Sequence, residues 1–394
     1  MNAASAATAG SAAPRASRAI VWVIGFFAFL NVYSIQAVLP LIISDFHASA
    51  VQAGLAVGAT VLAIGLISPF TGLVSDALGR KNIICCCLFF SCIPTALIPL
   101  VHSLQALVFL RFLQGLAVPG IVVVLIAYIS EEFDAGAVTS VTASYVGGTV
   151  MGGFSGRFIT GHAADLLGWR AGFFALAALN LAGALAVLWR LPASRRFVPN
   201  HNISAGLIVL RQHLRNDKLM AACALGFCVL FSLVATFTYV NLHLAAPPFG
   251  LSSAGLANVF AVYLVGVLVT PMAARTLQKL GQSRALLWAL GVSATGLMLT
   301  LLPSLGGVVL GLAVCATGVF LCQATTVASI AANTKTGRSL ATGMYYMSYY
   351  AGGAVGSWVG GLAYEHLRWA GTVAVIALIQ VLAATIVLRD RVPR

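Results

Sequence analysis

A charged stretch of ten residues, GLVSDALGRK at positions 72–81, lies between two long apolar runs and decides how the chain folds. Glycine permits a tight reversal of the backbone, because no Cβ restricts its φ angle. The acid and the two bases of this stretch are costly to remove from water, whereas both flanks are apolar. The stretch therefore predicts a hairpin whose turn stays in water while the two flanking helices enter a lipid bilayer.

Composition extends that interpretation to the whole chain. Of its 394 residues, 60% are hydrophobic and 8% are charged, whereas a water-soluble domain carries about 25% charged residues. The sequence therefore predicts a membrane protein with many spans, and its partner is the lipid bilayer. The net charge of +13 does not indicate nucleic acid, because the basic residues lie at the ends of apolar segments and form no single binding face.

The sequence indicates no metal or cofactor site. All eight cysteines lie inside apolar runs and no two have CxxC spacing, so neither a zinc site nor a disulfide framework is indicated. A G-x-x-x-x-G-K-[ST] loop is absent, which disfavours an ATP-driven pump. We therefore expect no metal and no cofactor.

Apolar runs of roughly 20 residues, the length that crosses a bilayer as a helix, recur along the chain. Charges, prolines and glycines separate twelve of them: 19–42, 50–73, 82–101, 104–129, 138–161, 170–190, 218–244, 252–274, 284–302, 306–331, 340–363 and 369–388. The predicted fold is an all-α membrane protein, with twelve transmembrane helices in two pseudo-symmetric six-helix bundles. The predicted domains are a disordered cytoplasmic tail (1–18), an N-terminal bundle (19–190), a cytoplasmic linker (191–217), a C-terminal bundle (218–388) and a cytoplasmic tail (389–394).

The distribution of basic residues predicts the orientation. With the N-terminus in the cytoplasm, all but four of the 22 lysines and arginines lie in cytoplasmic segments. The four are Arg111 and Arg157 within spans, and Arg170 and Arg368 in outer loops. Because positive charge collects on the cytoplasmic side of a membrane protein, both termini are expected there.

The two halves of the chain look duplicated. Seven residues recur with the same identity 200 positions later: Tyr145, Gly152, Gly153, Gly156, Gly161, Leu167 and Trp169. The charged stretch has a partial copy, in which Gly281 matches Gly79 and Gln278 replaces Asp76. Parallel repeats of this kind build the halves of many transporters. Since the copy makes its turn without the acid, Asp76 is expected to have a function of its own.

Two motifs carry a resemblance to a known family. The pattern G-x-L-x-D-x-x-G-R-K at 72–81 resembles the signature loop of major facilitator superfamily transporters, and R-x-x-Q-G at 111–115 resembles their fourth-helix motif. The likeness covers nearly the whole chain. The opening Tyr33/Gln36/Leu39-Pro40 and the stretch G-R-x-x-x-G…G-W-R from Gly156 to Arg170 look most like the bacterial acriflavine-resistance-type (YnfM-like) branch, a looser match than that to the superfamily. It implies a monomeric secondary transporter of the bacterial inner membrane, not an enzyme, which exports drugs or metabolites by proton-coupled alternating access.

The resemblance implies a conformational latch at the charged stretch. In the family, the acid braces the second helix against the eleventh, and the arginine pairs with an acid at the inner end of the fourth. The alternative is a plain cytoplasmic turn that follows the distribution of positive charge. The residues assigned to the latch are Gly72, Asp76, Gly79, Arg80, Glu131 and Glu132.

Polar side chains inside the apolar runs predict the substrate and proton pathway. An arginine about two turns into an apolar helix is costly unless it faces a cavity or a partner, so Arg111 is the central candidate. Snorkelling to the outer surface is the alternative for Arg111 and for Arg157. The residues assigned to the pathway are Arg111, Gln114, Arg157, Asn31, Tyr33, Gln36, Tyr239, Asn241, His243, Gln323, Tyr345 and Tyr349.

Glycines four residues apart form a smooth strip on two of the predicted helices. Such strips permit close helix packing, and in antiporter branches of the family a glycine-rich fifth helix acts as a hinge. The proline that follows the glycine pair in those branches is missing here. The residues assigned to this packing hinge are Gly148, Gly152, Gly156, Gly352, Gly356 and Gly360.

The positions of the nine acids narrow the substrate class, because all nine map to helix ends, loops or the tail. A bare cation in an apolar cavity needs a counter-charge, so the small-molecule substrate is expected to be anionic, zwitterionic or neutral and amphipathic. Proton-coupled efflux, which the branch resemblance favours, and proton-linked transport of an organic anion or zwitterion both stay open. A G-x-S-G match at 153–156 resembles rhomboid proteases, and a receptor is the non-transporting hypothesis, but two six-helix repeats with short termini suit neither.

Overall fold

The computed structural model describes residues 17–194, 211–333 and 338–389, and it leaves out the side chains of 72–78, 135, 270–271, 273–278, 331–333 and 338–339. Only the last two residues of the predicted tail 1–18 are described. Most of the predicted linker 191–217 and of the tail 389–394 lies outside the described residues.

The described part of the chain is almost entirely helical and contains no strand. Its α-helices, in chain order, are α1 Arg18–Leu30, α2 Leu39–Phe46, α3 Ala50–Leu78, α4 Arg80–Leu97, α5 Leu104–Glu132, α6 Ala135–Leu167, α7 Trp169–Arg190, α8 Asp217–Ala245, α9 Ser253–Val259, α10 Val265–Leu280, α11 Gln282–Leu299, α12 Leu305–Asn333 and α13 Arg338–Arg389. Short 3-10 segments lie at Ser34–Val38, Ile98–Leu100 and Phe260–Leu264.

The charged turn is built as the sequence predicts. α3 ends at Leu78, Gly79 has a φ of 87°, and α4 begins at Arg80. A residue with a Cβ is strained at positive φ, which explains the glycine. Gly281 repeats the arrangement with a φ of 73° between α10 and α11.

Seven of the described helices are long and apolar enough to cross a membrane, or eight if α1 and α2, bent by 42°, count as one span. α13 is included in this count as one helix, although it has 52 residues. At 1.5 Å per residue that is about 78 Å of helix, more than twice the bilayer core of about 30 Å. Its backbone leaves the helical region at Leu367 and Arg368, so two helices, 338–366 and 369–389, join at a kink. An all-helical membrane protein is thereby confirmed, and the count of twelve spans stays a prediction.

The same close helix contact occurs in both halves. α6 crosses α1 with Gly152 against the backbone oxygen of Phe26, and α13 crosses α8 with Gly352 against that of Phe227. A Cβ at either glycine would overlap the oxygen, so only glycine allows the helices to approach this closely. The other glycines of the predicted strip also contact α1 or α8: Gly148, Gly156, Gly356 and Gly360.

A second repeated contact exchanges its two residues between the halves. In the first half Gly172 of α7 packs on the backbone of Thr160 in α6. In the second half the hydroxyl of Thr372 donates to the carbonyl oxygen of Gly360, at 3.2 Å. Both positions differ by 200 between the halves. The threonine of this contact therefore lies on the first helix of the pair in one half and on the second helix of the pair in the other half.

The two halves meet along two pairs of helices. α3 packs along α13, and α6 packs against α9. Small residues permit both contacts, because Gly58 faces Ser357 in the first and Gly161 faces Ser253 in the second. The polar residues at the break between α1 and α2 lie inside this arrangement and are buried, as Gln36 illustrates.

Candidate functional site

Arg111 lies seven residues into α5, about two turns, and none of its surface is exposed. Its Nη1 donates to Oε1 of Gln114 at 2.6 Å and to the backbone oxygen of Asn31 at 2.7 Å. Its Nε donates to the carbonyl of Ala56 at 3.1 Å, and its Nη2 donates to that of Val32. All four acceptors are uncharged, so the guanidinium is held by dipoles alone.

These hydrogen bonds complete the broken first span. α1 ends at Leu30, and the carbonyls of Asn31 and Val32 follow in the bend before the 3-10 segment Ser34–Val38. Carbonyls at a helix C-terminus lack partners within the helix and carry the negative end of its dipole. Arg111 donates to both carbonyls, Ser34 donates to that of Asn31 as well, and the guanidinium adds a positive charge at that point. Because the Arg111 side chain is fully buried, it does not snorkel to the membrane surface. It acts instead as a cap on the C-terminal end of α1.

A chain of hydrogen bonds continues from Arg111 into the first half. Gln114 donates through Nε2 to Oγ1 of Thr95 at 2.8 Å, and the Thr95 hydroxyl donates to the carbonyl of Ser91 at 2.6 Å. The hydroxyl of Thr60 donates to the carbonyl of Arg111 at 2.9 Å. This cluster connects α3, α4 and α5 to the end of α1.

Arg157 is the second buried arginine, with 1% of its surface exposed. It lies ten residues before the end of α6 at Leu167, which is about 15 Å along the helix. Its Nε and Nη2 both donate to Oε1 of Gln36, at 2.8 and 2.7 Å, and its Nη1 donates to the carbonyl of Gly153 at 2.8 Å. Depth and burial exclude snorkelling for this arginine as well.

Three aromatic rings surround the guanidinium of Arg157. Its Cζ lies 4.8 Å from the ring centre of Tyr33, 4.4 Å from that of Phe260 and 4.5 Å from that of Tyr263. Cation–π contacts of this kind stabilise a cation that has lost its water. Phe260 and Tyr263 belong to the second half of the chain, so rings of one half hold the arginine of the other.

Gln36 connects the two halves at the same place. While its Oε1 accepts from Arg157, its Nε2 donates to Oγ1 of Thr238 in α8 at 3.0 Å. Gln36 and Thr238 are both fully buried. We call the group formed by Tyr33, Gln36, Arg157, Thr238, Phe260 and Tyr263 the central cluster.

The central cluster is positively charged. Among the residues with described side chains, no carboxylate lies within ion-pair distance of Arg111 or Arg157. Ion pairs occur instead near helix ends, where Asp45 meets Arg170 at 2.8 Å. A charge buried without a counter-ion is costly, so a position of this kind inside a predicted membrane span is a candidate functional site.

The inner end of the predicted latch is assembled in the structure. Nη2 of Arg80, at the start of α4, lies 2.7 Å from Oε1 of Glu131, near the end of α5. Glu132 follows and is half-buried. Gly72 and Asp76 fall among the residues whose side chains lie outside the description, so the predicted brace between α3 and α13 stays a prediction.

Two matched contacts join the halves at the end of α3 opposite the charged turn. Because this end is predicted to face outward, we call them the outer clasps. The backbone N–H of Val51, in the first turn of α3, donates to Oε1 of Glu365 at 2.9 Å. The N–H of Ala254, in the first turn of α9, donates to Oδ2 of Asp165 at 3.2 Å. Each carboxylate meets the positive end of a helix dipole in the other half. Asp165 and Glu365 are separated by 200 residues, the spacing of the repeat.

The sequence of the chain matches the family model of the Major Facilitator Superfamily over residues 21–334 and 244–394. The chain belongs to the major facilitator superfamily. Its curated relatives are transporters: it is 31% identical to the inner membrane transport protein YnfM of Escherichia coli, over 91% of this chain and 86% of YnfM. It is 29% identical to an uncharacterized transporter of Buchnera aphidicola, over 93% of this chain and 89% of that protein.

Solved structures of the superfamily share the fold of this transporter. The nucleoside transporter NupG aligns with a TM-score of 0.78 and 16% identity, over 95% of this chain and 100% of NupG. The human organic anion transporter MFSD10 aligns with a TM-score of 0.73 and 16% identity, over 94% of this chain and 98% of that chain. The predicted family is confirmed, and the chain is a membrane transporter, not an enzyme.

Several predicted pathway residues of this superfamily member lie outside the central cluster. The hydroxyl of Tyr239 donates to the carbonyl of Ser357, where α8 meets α13. The amide of Asn241 bonds to the carbonyl of Phe237 in its own helix, at 2.6 Å. His243, near the outer end of α8, stacks on Trp369 with ring centres 5.6 Å apart.

The remaining predicted residues divide between α12 and α13. Tyr345 and Tyr349 stack with ring centres 5.8 Å apart, and both are buried. Tyr345 also packs on Gly226 of α8. Gln323 is half-buried on α12. The structure thus brings Tyr33, Gln36 and Arg157 together and places Arg111 with Asn31 and Gln114 in a separate group.

Sequence reasoning missed four residues of this arrangement. Phe260 and Tyr263 contact Arg157 from a 3-10 segment inside an apolar run, and nothing in their local pattern separates them from lipid-facing residues. Asp165 and Glu365 were recognisable, because their spacing of 200 is that of the repeat.

Proposed function

We propose that this chain is a secondary active transporter that carries a small organic solute across the bacterial inner membrane by alternating access. The proposal includes twelve transmembrane helices in two bundles, 19–190 and 218–388, a cytoplasmic linker at 191–217 and both termini in the cytoplasm. It rests on the family and on the position of the basic residues at cytoplasmic ends of the predicted spans.

One observation carries the alternating-access mechanism: a buried, charged centre lies beneath a closed outer end. The outer clasps join the halves through single carboxylate–amide hydrogen bonds at exposed positions. Contacts of this kind are weak, because water competes for both partners. Hydrogen bonds of this strength suit a contact that must form and break in each transport cycle.

The proposed latch at the inner end completes this cycle. Arg80 and Glu131 fix the start of α4 to the end of α5 within the first half, which holds the charged turn at one orientation. Asp76, on the same turn, is the predicted partner of the second half. We propose that the outer clasps hold the conformation described here, and that the contact made by Asp76 holds the opposite one.

Proton-coupled efflux of a drug or metabolite is the first candidate for the direction of transport. Its support is the resemblance to the YnfM branch and the 31% identity to YnfM itself. The substrate would exchange against protons, and the transporter would work as a monomer. Proton-linked transport of an organic anion or zwitterion is the second candidate, which the two buried arginines without a carboxylate partner among the described side chains favour.

A transport assay under an imposed pH gradient tests the proposal. Purified protein is first screened by thermal shift against anionic, zwitterionic, neutral and cationic solutes, and each solute that stabilises it is loaded into proteoliposomes. We expect movement of such a solute to depend on the gradient and to reverse when the gradient is reversed. Liposomes without protein are the control.

The same assay can contradict proton coupling, transport itself and the substrate class separately. Gradient-independent movement would remove proton coupling, and no movement of any stabilising solute would remove the transport proposal. Stabilisation by lipophilic cations alone would contradict the substrate class, because a cation gains nothing from a positively charged centre.

A further inference from the structure

The guanidinium of Arg157 presents its two-donor edge to a single neutral oxygen. Nε and Nη2 form the edge that binds a carboxylate side-on through two parallel hydrogen bonds. Here both donate to Oε1 of Gln36, at 2.8 and 2.7 Å. One amide oxygen therefore occupies a position that fits two carboxylate oxygens, and it brings no negative charge.

The surroundings of this edge define the rest of a ligand. Tyr33, Phe260 and Tyr263 place their ring centres within 4.4–4.8 Å of the guanidinium carbon. Flat aromatic walls suit a planar apolar body, which stacks on them or meets them edge to face. Among the described residues no carboxylate pairs with Arg157, so the carboxylate of a ligand would meet no competing negative charge there.

We propose that the central cluster binds an aromatic monocarboxylate, whose carboxylate displaces Gln36 from Arg157 while its ring lies among Tyr33, Phe260 and Tyr263. The inference rests on the proposed transport function and names its substrate class. Gln36 is then a placeholder for the substrate, which keeps the arginine hydrogen-bonded when the site is empty.

Displacement of Gln36 would also act on the connection between the halves. The same amide donates to Thr238 of α8 at 3.0 Å, so Arg157, Gln36 and Thr238 form one chain across the interface. A carboxylate on Arg157 releases Gln36 from one end of this chain. Binding therefore loosens a contact between the halves at the centre, which links occupancy to conformational change.

Matched ring compounds test the charge requirement. Purified wild-type protein is titrated with benzoate, cinnamate and indole-3-acetate, and with the amide and the amine of the same ring systems, while its Tm is measured. We expect the carboxylates to raise the Tm in a saturable way, and the amides and amines to leave it unchanged. Equal shifts with the amides, or none with any carboxylate, would overturn the inference.

Two substitutions at Gln36 test whether its side chain occupies the place of the ligand's carboxylate. Gln36→Glu puts a permanent carboxylate on Arg157, so we expect a higher Tm without ligand and no further shift with benzoate. Gln36→Ala removes the competitor, so we expect benzoate to bind about tenfold more tightly, the effect of one charge-assisted hydrogen bond. A Gln36→Glu protein that binds benzoate like the wild type would overturn the inference.

Substitution of the arginine completes the test. Arg157→Gln is expected to abolish the benzoate shift and Arg157→Lys to weaken it, because lysine lacks the two-donor edge. Arg170→Gln is the matched control, since this arginine is partly exposed and pairs with Asp45 at the outer surface, and it should bind benzoate normally. Full benzoate binding by a folded Arg157→Gln protein would contradict the site.

These outcomes separate the two proposals. If neutral solutes stabilise the protein and move across proteoliposomes while no carboxylate does, the inference fails and the transport function stands. If benzoate binds as expected but no solute moves under either pH gradient, the site stands and the transport function fails.

Discussion

At the scale of single residues, Arg111 illustrates how a buried charge can be stabilised without a counter-ion. Its four described hydrogen bonds go to three backbone carbonyls and one side-chain amide. The carbonyl of Asn31 also accepts from the hydroxyl and the N–H of Ser34, at 3.0 and 3.4 Å. For the carbonyl of Val32, Arg111 is the described donor, and a buried carbonyl left without a donor costs about 1–3 kcal/mol. The arginine and the broken helix therefore depend on each other.

Removal of this arginine should reveal that dependence. We expect Arg111→Ala to lower the Tm of the purified protein and to abolish transport, because α1 loses its cap and the bend changes shape. Arg111→Lys should keep part of both, since one ammonium can satisfy fewer of these acceptors. Phe109→Ala, at a position 60% exposed on the same helix, is the control for a lost side chain. An Arg111→Ala protein with wild-type Tm and transport would contradict the assignment.

At the scale of elements, glycine decides which helices can approach. Gly152 and Gly352 bring α6 onto α1 and α13 onto α8 by nearly the same contact. Gly291 on α11, by contrast, is exposed and has no atom within contact distance of an added Cβ. The two kinds of glycine should respond to alanine in opposite directions.

Alanine substitutions test this difference directly. We expect Gly152→Ala and Gly352→Ala each to lower the Tm clearly, because the new Cβ overlaps a backbone oxygen. Gly291→Ala should be neutral or raise the Tm slightly, since alanine favours a helix over glycine by about 1 kcal/mol. Thermal unfolding in detergent measures all three, and equal effects would show that the strip is not a close contact.

The sequence predicted those parts of the fold that depend on local pattern. The turn at Gly79, the strip of glycines and the repeat follow from residue identity and spacing, and so does the family. The partners of Arg111 could not be predicted, because they are backbone carbonyls whose availability depends on where α1 breaks. The rings around Arg157 could not be predicted either, since Phe260 and Tyr263 reach it only after the two halves pack together.

At the scale of the whole molecule, the outer clasps join the halves at two points related by the repeat. Glu365 holds α3 from the second half, and Asp165 holds α9 from the first. Each contact is exposed and contributes little by itself, because water competes with an exposed hydrogen bond. Together they connect the halves at two separate points, so the loss of both should matter more than the loss of either.

The double variant Asp165→Asn/Glu365→Gln is therefore expected to favour opening of the outer end. Spin labels at the exposed positions Gln52 and His366, in a background without reactive cysteines, would report the change as a longer and broader distance distribution by pulsed EPR. Each single variant should have a smaller effect. Unchanged distances in the double variant would mean that packing of α3 on α13 closes the outer end without the clasps.

The contact that exchanges its two residues between the halves has a consequence for how the two copies diverged. Thr160 faces Gly172 in one copy, and Gly360 faces Thr372 in the other. The same two residue types meet in both copies, but the threonine lies on α6 in one copy and beyond the kink of α13 in the other. The two copies therefore keep the composition of this contact while they exchange the helices that carry its two residues.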